Sequence, residues 1–125
     1  MNVVDSSAWL EYFANGTNAS FFARAIEQTE ELLVPSLVLY EVFKQVLQQR
    51  DEGSALQAVA MMQQGAVVDL DARLALLAAR ISLERKLPMA DSVILATAQA
   101  YGATVWTLDA DFKGLPEVQY RRRTP

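Results

Sequence analysis

Asp5, Glu41, Asp91 and Asp109 each stand inside an apolar run or at its end: VVDSSAWL, LVLYEVF, PMADSVILATA and VWTLDADF, with Asp111 two residues behind the last. An ionised carboxylate among apolar neighbours is costly unless a cation or hydrogen-bond donors compensate it. The chain has no His and no Cys, so nitrogen and thiolate ligands cannot join these acids. A hard divalent cation held by oxygen alone, magnesium or manganese, is the natural compensator.

Each acid also has an ordinary explanation. Asp5, before Ser6 and Ser7, could be a turn residue and helix cap, and Asp91 after Pro88 could be a first-turn acid. Glu41 could pair with Lys44 or Gln45 along its own helix, and Asp109 and Asp111 could be turn residues ahead of Phe112. One at a time these suffice. All holding together is much less common, and the shared oddity marks a site.

The elements that must position the acids are short. Strands are expected at 2–4, 32–34, 67–69, 104–107 and 118–120, and helices at 7–14, 18–29, 36–49, 53–64, 71–86 and 91–101. Brief β-branched runs alternating with helical patterns predict an α/β fold: a three-layer sandwich with a short parallel sheet of four or five strands flanked by helices. Pro35 with Ser36 should end a strand and cap a helix, Asp71 should cap the next-but-one, and Gly102 should stop the helix ending at Tyr101. In such a sheet ligands bind beyond the carboxyl ends of the strands, where strand order reverses. Asp5 and Asp109 both follow strands, so they converge if those strands are neighbours. Asp91 shares a helix face with Ile94, Leu95 and Ala98, and Glu41 shares one with Leu37 and Val38, so both point inward.

At 125 residues and 52% hydrophobic, the chain reads as a single domain over 1–125 with a short basic tail at 121–125. No uninterrupted apolar stretch is long enough to span a membrane, and MNVVDSS lacks the basic and hydrophobic regions of a secretory signal. A cytoplasmic protein is expected. The net charge of −4 counts against a general nucleic-acid coat, but not against an enzyme that meets phosphate through metals and a local patch.

The series VVDSSAWL, PSLVLYEV and LPMADSVILATAQAYGATVWTLDADF resembles the PIN-domain nucleases of the VapC toxin type, over 2–120. Its most specific part is the last: an aspartate opening a helix, a Gly, a strand and T-x-D-x-D-F. The resemblance implies a PIN-like fold and a magnesium- or manganese-dependent endoribonuclease. By position Asp5, Glu41 and Asp91 match the family's three principal acids and Asp109 the fourth. Asp111 would be an accessory acid, and Ser6 and Thr107 match polar positions that help shape the metal site. It further implies structured RNA as substrate, cut in transfer-RNA or ribosomal-RNA loops so that translation halts. A VapB-like antitoxin would lie across the cleft, and the toxin would form a homodimer.

Phosphodiester hydrolysis needs an activated water and stabilised charge on the attacking and leaving oxygens, which two divalent ions can supply. Asp5, Asp91 and Asp109 are the expected ligands of the primary ion. Glu41 would hold a second ion or orient the water. Without histidine no side chain titrates near neutrality as a base, so water activation falls to the metal. No residue is assigned to RNA binding. Arg121, Arg122 and Arg123 are candidates for phosphate contact as much as a solvated end, with Arg80, Arg85, Lys86 and Lys113 behind them. Trp9, Tyr12 and Phe13 crowd one short helix, where either core packing or a partner could cover them.

Three rivals remain. A phosphoacceptor receiver domain would need an acidic pair after the first strand, where serines follow Asp5 instead. A PIN fold without catalysis, serving as a binding or scaffold module, would not need all four acids. A nuclease acting on DNA would carry the same carboxylates.

Overall fold

The computed structural model describes residues 1–124, so Pro125, at the end of the expected basic tail, lies outside the described residues. Five strands, β1 (Asn2–Val4), β2 (Leu32–Pro35), β3 (Ala66–Val68), β4 (Thr104–Thr107) and β5 (Val118–Tyr120), form one sheet in the order β3-β2-β1-β4-β5. All four pairings are parallel. Six helices flank it: α1 (Ser6–Phe13), α2 (Ala19–Ile26), α3 (Ser36–Gln49), α4 (Glu52–Met62), α5 (Ala72–Arg85) and α6 (Met89–Tyr101). The expected α/β sandwich is the observed one.

The topology explains the layers. From β1 the chain steps outward to β2 and β3, then returns past both to lay β4 on the other side of β1. Right-handed crossovers therefore put the helices before and after the reversal on opposite faces. The contacts agree: α1 packs on α2 and α3, and α3 on α4, whereas α5 pairs with α6. The central strand, β1, buries Val3 and Val4 completely, as a strand covered on both faces must. At one edge Ala66 and Val67 of β3 are exposed.

The strand boundaries mostly match expectation, whereas most helix ends shift by one to three residues, for local reasons. The third strand is 66–68 rather than 67–69, because Ala66 pairs with Leu33 and Val68 with Pro35, leaving Asp69 beyond the ladder. Ser36 does not cap α3. Pro35 occupies the cap position in extended geometry at the end of β2, so Ser36 is already inside the helix. The helix expected at 18–29 ends at Ile26, and Thr29–Glu31 forms a separate 3₁₀ turn. The last helix begins at Met89, two residues before Asp91, because Pro88 takes its cap position. Asp71 does cap α5, accepting from the Leu74 amide at 2.9 Å, and Gly102 closes α6 at φ +63°.

Helix α6 is the spine of the fold, with Asp91 through Ala98 all buried. A helix buried on every side belongs in a core, and an aspartate at its head must answer to something inside. Of the aromatics of α1, Trp9 belongs to the core and Tyr12 and Phe13 pack half-buried against it. Trp9 is fully buried, stacks on Phe13 at 5.6 Å and meets Tyr12 edge-on at 6.5 Å. Core packing accounts for Trp9.

Candidate active site

The strand order reverses between β1 and β4, which puts the residues after both strands beside one crevice. Asp5 leaves β1 there and Asp109 leaves β4. The first turn of α6 delivers Asp91 to the same place, and α3 delivers Glu41. All four acids line one cleft of about 660 Å³, whose wall continues along α3 through Gln45 and Gln49. Among the described residues, no lysine or arginine lies within ion-pair distance of any of them. Lys44, one turn along α3 from Glu41, sits over the Tyr40 ring instead, 5.7 Å from its centroid.

Asp5 is both the helix cap that its flanks suggest and a site residue. Its Oδ1 accepts from the Ala8 amide at 3.0 Å and from the Ser7 hydroxyl at 2.6 Å, and its Oδ2 accepts from the Thr107 hydroxyl at 2.5 Å. A carboxylate offers about four lone-pair positions, so roughly one remains for a ligand. Burial pushes the Asp5 carboxyl up from its usual range, the three hydrogen bonds resist that, and the Asp109 charge adds to it.

The tightest grouping of carboxylates is Asp91, Asp109 and Asp111, each offering an oxygen within 4.8 Å of the others. Asp111 reaches it because Asp109 caps the 3₁₀ turn Ala110–Phe112, accepting from the Asp111 amide at 2.9 Å. Burial first, then the Asp109 charge and shared hydrogen bonds with Asp111 and Asp109, push the Asp91 carboxyl up to about 8. Glu41 is pushed up as well, by burial and by the charges of Asp5 and Asp109, with the Ser6 side chain partly offsetting them. Its Oε1 is buried without a hydrogen-bond partner among the described residues.

These features fit a divalent cation. Three carboxylates converge, the donors are all oxygen, among the described residues no basic side chain forms an ion pair with them, and a buried acceptor is unpaired beside them. Of the expected residues, the structure gathers Asp5, Glu41, Asp91 and Asp109 around one cleft and brings Asp111 into the carboxylate group. Thr107 ties Asp5 to its neighbours: its hydroxyl donates to Asp5 and accepts from the Asp109 amide at 2.8 Å. Ser7 was not foreseen. Its hydroxyl binds Asp5 and accepts from the Leu108 amide at 3.1 Å, stitching α1 to the end of β4. The serine pair after Asp5 is the available hint, but only the helix rotation decides that Ser7 bonds Asp5 while Ser6 lies on the cleft wall with Glu41.

Sequence comparison agrees with this geometry. The profile of the PIN domain matches residues 3–118, and the chain belongs to the PIN domain family. The fold is similar to a toxin–antitoxin complex from Klebsiella pneumoniae, with a TM-score of 0.80 and 20% identity over 95% of this chain and 96% of that one. It is also similar to VapC20 of Mycobacterium tuberculosis, described as a sarcin–ricin-loop-cleaving toxin (TM-score 0.76, 19% identity, 94% and 97% of the two chains). A DNA-bound VapBC complex from Salmonella typhimurium gives a TM-score of 0.74 at 18% identity over 97% and 96%. At these identities the likeness is one of fold. No curated protein matches the sequence.

Proposed function

We propose that this protein is a magnesium- or manganese-dependent endoribonuclease, a single nuclease domain acting as the toxin of a toxin–antitoxin pair. The observation that carries the proposal is the cleft itself: four acids drawn from β1, α3, α6 and the end of β4, none of them in an ion pair among the described residues. Carboxylates gathered at such a cost to their ionisation are better explained by a cation they hold than by stability. The neighbours described as toxins and toxin–antitoxin complexes support the biological role and a protein antidote; a homodimer is part of the same proposal. Structured RNA, cut in transfer-RNA or ribosomal-RNA loops, is the proposed substrate, because single-stranded loops expose a backbone that a small cleft can reach. A cytoplasmic setting goes with that role. Among the described residues no helix is long and apolar enough to cross a membrane.

Asp5, Asp91 and Asp109 would hold the ion, with Asp111, whose carboxylate converges with those of Asp91 and Asp109, as a further ligand or accessory acid. The ion when bound would supply Lewis-acid chemistry for the phosphodiester. The remaining work belongs to the chain. Glu41, with its unpaired Oε1, accepts a hydrogen bond from the attacking water and orients it, or holds a second ion. Ser7 and Thr107 fix Asp5 so that its remaining lone pair faces the cleft rather than the core. Ser6 steadies Glu41.

Cleavage of total RNA by the purified protein, with magnesium or with chelator and beside Asp91→Asn, tests the proposal. Discrete fragments that need magnesium and vanish in the variant are expected. A folded protein that cuts no RNA in either condition would return weight to a PIN-fold binding module. Cleavage of DNA in preference to RNA would move the substrate.

A further inference from the structure

The segment after β5 belongs to the cleft. Strand β5 runs parallel to β4, pairing Tyr120 with Thr107, so the chain leaves it at the same end of the sheet as Asp5 and Asp109. Three contacts then hold the basic segment down. The Arg121 amide donates to the Thr107 carbonyl at 3.0 Å, on the very residue whose hydroxyl holds Asp5. The Arg121 guanidinium lies over Phe21, 4.2 Å from the ring centroid, close enough for a cation–π contact. Asn18 Nδ2 donates to the Arg122 carbonyl at 3.4 Å. The next residue, Arg123, lines the cleft with Asp5, Glu41, Asp91 and Asp109.

We propose that Arg123 is a phosphate-positioning residue of this cleft, gripping the RNA backbone next to the bond that is cut. The inference rests on the nuclease reading above and adds to it how a polyanion is held over an acidic floor. Four carboxylates repel an incoming phosphate, and a cation at the rim offsets that where the substrate must enter. The alternative occupation, a plug sitting on the acids, does not match the geometry. Among the described residues Arg123 makes no ion pair with any of them, and its side chain is exposed. An unpaired guanidinium presents a planar fork of donors, the geometry that fits two phosphate oxygens at once. Arg121 does different work: its guanidinium is committed to Phe21, so it anchors the segment and aims Arg123.

The test separates holding RNA from cutting it. Binding of a short labelled single-stranded RNA of mixed sequence is followed by fluorescence anisotropy across a salt series, in the Asp91→Asn background. Arg123→Gln should weaken binding about tenfold, the scale of one lost charged hydrogen bond. The log–log salt slope should become shallower by about 0.7, as expected for one phosphate contact to a single strand. Arg123→Lys should restore the slope and only part of the affinity, since the fork is lost and the charge kept. Phe21→Leu, which changes no charge, should lower affinity by misplacing the segment, and adding Arg123→Gln to it should cost little more. In the parent background, Arg123→Gln should raise KM more than it lowers kcat.

Unchanged affinity and slope in Arg123→Gln overturn the inference while leaving the nuclease intact. Tighter binding or faster cleavage also overturns it, and marks the arginine as a plug. Arg123-dependent binding by a parent that never cuts RNA would sink the nuclease reading and, with it, the placement of Arg123 beside a scissile bond, leaving an RNA-binding arginine alone. No RNA binding by any variant sinks both.

Discussion

Thr107 and Asp5, 102 positions apart, are joined by a hydrogen bond of 2.5 Å between a hydroxyl on β4 and the carboxylate that caps α1. The same hydroxyl accepts from the Asp109 amide, so one side chain fixes the acids that follow two neighbouring strands. Thr107→Val keeps the shape and removes both bonds. It should cost about 1–3 kcal/mol of stability, because it strips partners from a buried carboxylate and a buried amide. It should also lower the cleavage rate about 10- to 100-fold, the usual effect of losing a group that orients a metal ligand. Denaturant unfolding and cleavage kinetics check the two halves separately. Lost stability at an unchanged rate would show that Asp5 needs no such support to work.

Asp91 gives the metal-free protein a pH dependence whose sign follows from its shift. Its carboxyl titrates at about 8 in the folded chain against 3.8 ordinarily. Between those values the folded state keeps a proton that the unfolded state has released, so stability falls as pH rises. The contribution is fully present below about pH 4 and is lost as pH climbs through about 8. In chelator, the melting temperature of the parent should fall more steeply between about pH 5 and pH 8 than that of Asp91→Asn. Magnesium or manganese should raise the parent's melting temperature near pH 8 and do little for the variant, since binding to the folded state alone stabilises it. Parallel curves for the two proteins would remove Asp91 from the strained group.

Gly65, just before β3, offers a test of the frame rather than the site. A Cβ there would lie 2.9 Å from both the Leu32 carbonyl oxygen and the Leu32 Cγ. The backbone oxygen cannot swing aside, so Gly65→Ala must push β3 away from β2, at a cost of about 1–3 kcal/mol. Because β3 is the edge strand farthest from the acids, cleavage by the folded fraction should be unchanged. A variant as stable as the parent would mean the β2–β3 edge yields more readily than its pairing suggests.

What the sequence makes legible follows from locality. The buried strand runs, the Asp71 cap and the Gly102 stop are each written in a few adjacent residues, and they appear where expected. The four acids are legible because a charge inside an apolar run is conspicuous wherever the chain folds. What is hidden depends on contacts between distant segments. Ser7 and Ser6 are indistinguishable until the rotation of α1 turns Ser7 onto Asp5 and leaves Ser6 on the cleft wall with Glu41. Asp111 joins Asp91 only through the 3₁₀ turn capped by Asp109. Three arginines in a row look like a solvated end until β5 is known to run parallel to β4.

Every strand pairing in this sheet is parallel, so none is made by a hairpin. The central pairing, β1 with β4, joins residues 2–4 to residues 104–106. On a ribosome, therefore, the first strand emerges and waits while its neighbour is still untranslated, and contacts so far apart in sequence form late. The cleft has no floor until Asp109 has been made and no rim until Arg123 follows it. For a protein proposed to cut RNA, the order of synthesis means that the four acids are all present only once nearly the whole chain has been made.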